Sequence, residues 1–367
     1  MPLSIDLAGR TGFSARSGRG RGLLLSIMER MPLAFRRVLV PAAISALVRH
    51  RLQPHWQREL ASCDTAVIGG GALLADADQN FPIKISRVLD LCAERQIPVA
   101  ISHVGVTRHW SEAGRTRFMA ALARVRLAWL GVRDHNSVRH FVDEFGTRMG
   151  TPELTLDPGL LCRETYGAPE APAPAPDAPA PKKLGLCLTH PLVLRLHGEG
   201  RVDDQFFRDW LVAVVERACD RGFEVSLFTN GSPEDEDFAD EIAQLIGPRP
   251  EVQRQPRFIT PGELARFIAT LDCLVAHRLH ACIAAYSYRV PAIGFSWDRK
   301  LDSFFELMNR GDYVVDLRST SPGSLLTLID KALDNPIDEA EHKAIIDECR
   351  HGIERLAARL VEAREAK

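Results

Sequence analysis

The densest chemistry in the sequence is His277-Arg278-Leu279-His280. The cluster follows the apolar run Cys273-Leu274-Val275-Ala276, which reads as a strand, and leads into His280–Tyr288, which reads as a helix. One arginine and two imidazoles at a strand-to-helix junction make a receptive place for an anion. The guanidinium can grip a carboxylate or phosphate with two parallel hydrogen bonds, and the helix N-terminus adds partial positive charge. That field resists protonation of His280 and keeps it available as a base, a tendency that an anionic ligand reverses. His-x-x-His spacing also suits a metal. With no acidic or cysteine ligand adjacent and an arginine in between, no metal is expected. From position alone, a pair of packed or capping histidines beside a surface arginine is the competing reading.

Other strand ends carry weaker signals. Gly69-Gly70-Gly71 directly follows Thr65–Ile68, and its amides could receive an anion or simply form a tight turn. Asp76 and Asp78 lie beyond it and are candidates for a general base. Arg133-Asp134 follows Leu127–Val132, with Ser137 downstream; Arg133 is either an anion contact or half of a salt bridge. Thr229 and Asn230 end the run Phe223–Phe228 and are candidate ligand contacts or plain turn residues. Ser232-Pro233-Glu234-Asp235 then reads as a cap and an acid-rich first helical turn, which the helix dipole explains without chemistry. Lys300, after Trp297-Asp298-Arg299, is either a point charge over the site or a solvated lysine. No nucleophile elbow, HExxH, Walker A loop or Rossmann fingerprint occurs.

The elements that must hold these residues follow a strand–helix rhythm. In the first half, strands are expected at Thr65–Ile68, Pro98–Ser102, Leu127–Val132 and Leu154–Leu156, with helices at Lys84–Arg95, Ser111–Val125 and Asn136–Phe145. In the second, strands are expected at Leu184–Leu188, Phe223–Phe228, Phe258–Ile259, Cys273–Ala276 and Ala292–Phe295. The helices there are Asp203–Cys219, Phe238–Ile246, Pro261–Leu271, His280–Tyr288, Ser319–Leu333 and Ile337–Arg364. Thr260, Pro261 and Glu263 spell a capping box with proline at the first helical position. Alternating strands and helices imply parallel sheets covered by helices, with ligands beyond the carboxyl ends of the strands.

Gly167–Lys183 reads GAPEAPAPAPDAPAPKK, an extended proline-rich linker. It divides the 367 residues into lobes 1–166 and 184–367. With 46% apolar and 26% charged residues, the chain is rich enough in apolar residues to build full cores. A formal charge of −2 gives no global pull on nucleic acid. The 8 cysteines form no CxxC pair, and most read as buried thiols of a reducing, cytoplasmic protein. No signal-peptide order occurs, and the run Val38–Val48 is too short to span a bilayer. Arg16–Arg21, Leu23–Leu25 and Phe35–Leu39 form a basic amphipathic stretch. It is read mainly as a helix covering the first lobe with a solvated basic edge, with peripheral contact to an inner membrane as the other reading.

Taken together, these residues resemble the polysaccharide pyruvyltransferase family. The resemblance rests on Ala66–Gly71, on Gly131-Val132-Arg133-Asp134 with Ser137, on Asp157-Pro158-Gly159, and above all on His277–Phe305. That last stretch holds Arg278-Leu279-His280, Arg289-Val290-Pro291, Lys300 and Phe304 in order. The resemblance implies two doubly wound Rossmann-like lobes in the glycosyltransferase B arrangement, with a cleft between an acceptor-side N-terminal lobe and a donor-side C-terminal lobe. It implies transfer of pyruvate from phosphoenolpyruvate to a sugar diol, free or lipid-linked, as a cyclic ketal with release of phosphate and without a cofactor. Arg278 and His280 then take the family's donor-site arginine and histidine, Leu279 offers its backbone, and Arg133 stands for a further donor arginine. His277 would orient or assist His280. Family members usually begin with a strand and a glycine/asparagine-rich loop, where this chain has Gly9–Phe13. They often carry an arginine where this chain has Thr189-His190. Two other readings therefore stay open: a nucleotide-sugar glycosyltransferase, and a catalytically inactive glycan-binding or assembly protein. The residues do not specify the acceptor sugar or the oligomeric state.

Overall fold

The computed structural model describes residues 32–169, 181–191, 203–296 and 299–366. The segments Gly9–Phe13 and Arg16–Leu25, most of the proline-rich linker, and Trp297-Asp298 lie outside the described residues. The chain forms two compact units. One holds the residues up to Asp157 together with those from Cys349 onward, and the other holds Pro158–Glu348.

The first unit opens with α1 (Leu33–Leu47), a π-helical turn and α2 (Gln53–Glu59). A four-stranded parallel sheet follows: β1 (Ala66–Gly69), β2 (Val99–Val104), β3 (Leu127–Val132) and β4 (Glu153–Leu154), in sequence order. Helices α3 (Asn80–Glu94), α4 (Glu112–Leu122) and α5 (His135–Phe145) make the crossovers. Sequential order with right-handed crossovers sends these three helices to one face. Val99 and Ile101 face that core, with Leu89, Phe118 and Phe141. The alternate residue Ala100, with Trp129 from β3, needs another cover, because strand side chains alternate between faces. It comes from the far end of the chain: Leu356 and Leu360, on helix α13 (Glu339–Glu365), pack there.

The second unit begins with a 3-10 turn (Pro158–Leu161) and α6 (Cys162–Tyr166), then a six-stranded parallel sheet. Its strands are β5 (Lys183–Cys187), β6 (Glu224–Phe228), β7 (Val252–Arg254), β8 (Cys273–Ala276), β9 (Ala292–Phe295) and β10 (Val314–Val315). The order is β7-β6-β5-β8-β9-β10, so the winding reverses between β5 and β8. This is the doubly wound order, with its switch point at that pair. The helices are α7 (Asp204–Asp220), α8 (Pro233–Ile246), α9 (Pro261–Ile268), α10 (Leu279–Ser287), α11 (Arg299–Leu307) and α12 (Pro322–Asp334).

Most expected elements are present within a few residues. The capping box forms as read: Thr260 Oγ1 accepts from Glu263 N at 3.2 Å, and Glu263 accepts from Thr260 N at 3.1 Å. One strand is displaced. The ladder beside β6 uses Val252–Arg254, not Phe258–Ile259. Pro256 has no N–H to extend it, and Phe258 turns its ring against Phe228 and Phe267 instead. The unit boundary also differs from the expected lobes. Residues 158–166 belong with the second unit although they precede the linker: Arg163 N donates to Ser287 Oγ at 3.0 Å, and the Tyr288 hydroxyl donates to Gly167 O at 2.9 Å. The last helix returns its C-terminal part to the first unit, where Cys349 Sγ donates to Asp157 O at 3.5 Å.

Candidate functional site

At the switch point of the second unit, β5 delivers Thr189 and His190, and β8 delivers His277 and Arg278. Between them sits a residue that sequence reasoning assigned only to the helix dipole. Asp235, on the first turn of α8, is fully buried. Its Oδ1 accepts from His190 N at 2.8 Å, and its Oδ2 takes a short charge-assisted bond from Arg278 Nη2. A buried carboxylate needs such a partner. Asp235 therefore fixes one arm of Arg278, while Nε of the same guanidinium is buried with no hydrogen-bond partner among the described residues. Arg278 is the N-cap position of α10 and has no side-chain cap bond, so the exposed positive end of the helix lies beside its guanidinium.

The two histidines part company. His277 is buried, stacked on Phe295 at 4.5 Å between ring centroids and edge-on to Phe207 at 5.5 Å. Burial, with Arg278 beside it, pushes its pKa down to about 3, so the ring is neutral at ordinary pH. The expected assisting acid is thus a packed aromatic neighbour. His280 lies exposed on the first turn of α10, one residue past the half-buried Leu279. Lys300 is half-buried on the first turn of α11.

Thr229 and Asn230 are absorbed by the fold. Thr229 Oγ1 accepts from Gly231 N at 2.8 Å and donates to Glu236, which also meets Arg254 Nη2 at 2.6 Å. Asn230 Oδ1 accepts from Cys187 Sγ at 3.2 Å. These contacts make the two residues a turn that anchors α8, and with it Asp235.

The carboxyl edge of the first unit's sheet forms a second polar cluster. Gly70 and Gly71 hold φ of +80° and +62°, a conformation open to glycine. Gly71 O accepts from Gly105 N at 2.7 Å. A Cβ on Gly105 would lie 3.0 Å from Arg133 Nη2, so the guanidinium lies against bare backbone. Arg133 is buried; its Nε is 3.5 Å from Asp134 Oδ2, and its Nη2 has no partner among the described residues. Asp134 caps α5 by accepting from Ser137 N at 2.6 Å, and Ser137 Oγ accepts from Val106 N at 3.0 Å. The Arg-Asp-x-x-Ser spacing thus builds a helix start that carries the arginine.

The same edge holds His103, which the sequence reading left out. It is buried, with φ +58° at an irregularity of β2, and its Nε2 has no partner among the described residues. Burial lowers its pKa, partly offset by Asp157. The only sequence signal is a histidine directly after the apolar run that ends at Ser102.

The two candidate bases beyond the glycines are both engaged. Asp76 accepts from Gln79 N at 2.7 Å, Ser111 N at 2.8 Å and Ser111 Oγ at 2.6 Å, tying the loop to the start of α4. Asp78 is ion-paired with Arg36 at 2.6 Å.

Two parallel α/β units, one wound in the 3-2-1-4-5-6 order with its polar cluster at the switch point, define a protein of two Rossmann-like units with a glycosyltransferase B-like fold. The chain belongs to the polysaccharide pyruvyl transferase family, whose family model matches residues 17–299. Among solved structures it is similar to a protein provisionally described as a UDP-N-acetylglucosamine 2-epimerase from Listeria monocytogenes. The TM-score is 0.57 at 11% identity, over 86% of this chain and 79% of that one. It is also similar to a UDP-GlcNAc 2-epimerase from Methanocaldococcus jannaschii, with a TM-score of 0.51 at 9% identity over 77% and 74% of the two chains. At such identities the likeness shows the fold alone. Among curated proteins, none matches significantly. The chain is therefore a transferase-family protein whose donor and acceptor its fold does not specify.

Proposed function

We propose that the protein transfers pyruvate from phosphoenolpyruvate to two hydroxyls of one sugar in a glycan or glycan precursor. The observation that carries the reading is Arg278, held by buried Asp235 at the switch point, with exposed His280 on the first helical turn that follows it. In this reading Arg278 and the positive end of α10 take the donor's anionic groups. His280 delivers a proton to the methylene carbon, making C2 electrophilic. One sugar hydroxyl adds to C2 and gives up its proton. The second hydroxyl then forms the other C–O bond as the bond to phosphate breaks. Of the two hydroxyl protons, one balances that on the new methyl group and the other leaves with phosphate. No cofactor enters this balance, and the acceptor is a sugar or a lipid-linked glycan.

The test is calorimetric titration with phosphoenolpyruvate, followed by phosphate release with a panel of glycan acceptors. Saturable donor binding, weakened by Arg278→Lys and kept by His280→Gln, is expected. His280→Gln should lower phosphate release by about 10²–10⁴-fold. Phosphate release unchanged in both variants would overturn the assignment. Binding of a nucleotide sugar in place of phosphoenolpyruvate would turn the reading to glycosyl transfer.

A further inference from the structure

Helix α1 is apolar on both faces, but the described residues cover only one. Ile44 packs against the first unit's core, and Val48 and Leu52, on the π-helical turn that follows, are buried in it. The opposite face carries Phe35, Val38, Leu39, Ala42, Ala43, Ala46 and Leu47, all exposed. The spacing is a continuous helical stripe. Phe35 is 63% exposed, Val38 68%, Leu39 52% and Leu47 41%, which places four of the nine exposed large hydrophobics among the described residues on this one helix. A soluble surface does not ordinarily spend large apolar residues in one line.

The charge around the stripe is one-sided. From Pro32 to Arg58 there is no aspartate or glutamate, while Arg37, Arg49, His50, Arg51 and Arg58 are exposed. In sequence, residues 1–58 carry ten arginines against Asp6 and Glu29, a formal +8 in a chain whose total is −2. An acidic remainder joined to a basic apolar helix is not what a merely solvated edge requires. Among the described residues no helix is long and apolar enough to cross a membrane, so the exposed stripe is read as a face that lies on one.

We infer that the outer face of α1 docks on an anionic lipid bilayer, with Phe35, Val38, Leu39 and Leu47 entering the acyl boundary and Arg49 and Arg51 meeting lipid phosphates. The apolar stripe selects lipid over nucleic acid, whose backbone would use the arginines and leave the stripe in water. The inference stands apart from the pyruvyl-transfer reading. It does place a sugar-modifying protein where lipid-linked glycans are found.

The experiment is co-sedimentation of the full chain with vesicles of phosphatidylcholine, with and without phosphatidylglycerol, in the absence of donor or acceptor. Binding is expected only with the anionic lipid, and should weaken as salt shortens the Debye length. Arg49→Gln and Arg51→Gln should each weaken partitioning about fivefold. The pair Val38→Ser with Leu39→Ser should weaken it about tenfold or more. Ile259→Ser, an exposed apolar residue of the other unit, should leave it unchanged. Circular dichroism melts establish that each variant folds. Failure of the wild type to bind anionic vesicles overturns the inference, as does binding that survives the α1 substitutions. It is equally overturned if the α1 substitutions dissolve a lipid-independent oligomer.

Discussion

Arg278 and Asp235 form an ion pair in which the carboxylate is 0% exposed and the guanidinium 24% exposed. The asymmetry decides how the pair responds to mutation. Removing Arg278 strands a buried carboxylate, and breaking such a pair costs about 3–5 kcal/mol. Arg278→Ala is therefore expected to unfold at lower temperature, so its loss of activity mixes two causes. Adding Asp235→Asn removes the stranded charge and keeps an oxygen that accepts from His190 N. The double variant should recover much of the lost melting temperature and none of the donor binding. Thermal melts beside calorimetry separate the two. Recovery of donor binding in the double variant would mean that Arg278 only supports the fold.

His277 gives a stability prediction with a definite sign. Its pKa falls from an ordinary value near 6.5 to about 3 on folding, first through burial and then through Arg278. Between those values the unfolded chain binds the extra proton. Stability from this residue is complete above about pH 6.5 and falls as the pH drops toward about 3, by up to roughly 1.4 kcal/mol per pH unit. His277→Phe keeps an aromatic ring against Phe295 and Phe207 and removes the titration. Urea melts from pH 7 downward should show a shallower decline in that variant. An identical slope in both proteins would contradict the buried, neutral assignment.

Gly105 and Arg133 should be energetically coupled. The guanidinium lies where a Cβ on Gly105 would approach Nη2 to 3.0 Å and Nε to 3.1 Å. Gly105→Ala must shift Arg133 and is expected to cost about 1–3 kcal/mol. Once Arg133 is alanine, the same methyl group has room. The double-mutant cycle should therefore show a coupling of about 0.5–3 kcal/mol, measured by urea denaturation. Strict additivity would show that the backbone at Gly105 resists the methyl group for another reason.

The pattern of what the sequence disclosed follows from the range of the interactions. The capping box at Thr260 and Glu263 spans one helical turn, so its letters suffice. The buried strands read clearly because both faces of β2 and β8 are covered. Asp235 did not read, because an acid in a first helical turn has the same spelling whether it serves the dipole or a distant arginine. Its partner lies 43 residues away. Seeing that they meet requires the strand order that sets β5 beside β8, and no local pattern spells out that order. His277 and His280 look equivalent in the sequence. Three residues along a strand-to-helix turn separate a buried ring from an exposed one.

His103 extends this logic to the first unit. A non-glycine residue at φ +58° beside the end of β2 holds a conformation that costs about 1–2 kcal/mol. Its ring is buried, yet Nε2 bonds to nothing among the described residues. A residue kept under both penalties is spending stability on a position. Asparagine tolerates the same backbone and removes the ring nitrogen. His103→Asn is therefore expected to keep the main-chain bond from residue 103 N to Thr155 Oγ1, now 3.2 Å, and to melt near the wild type. Glycan turnover should fall about tenfold or more, while phosphoenolpyruvate affinity stays unchanged, if Nε2 contacts the acceptor. Steady-state kinetics in acceptor and calorimetry in donor divide the outcomes. A variant that melts far lower, with kinetics intact in the folded fraction, would make His103 a piece of core whose strain serves the sheet edge alone.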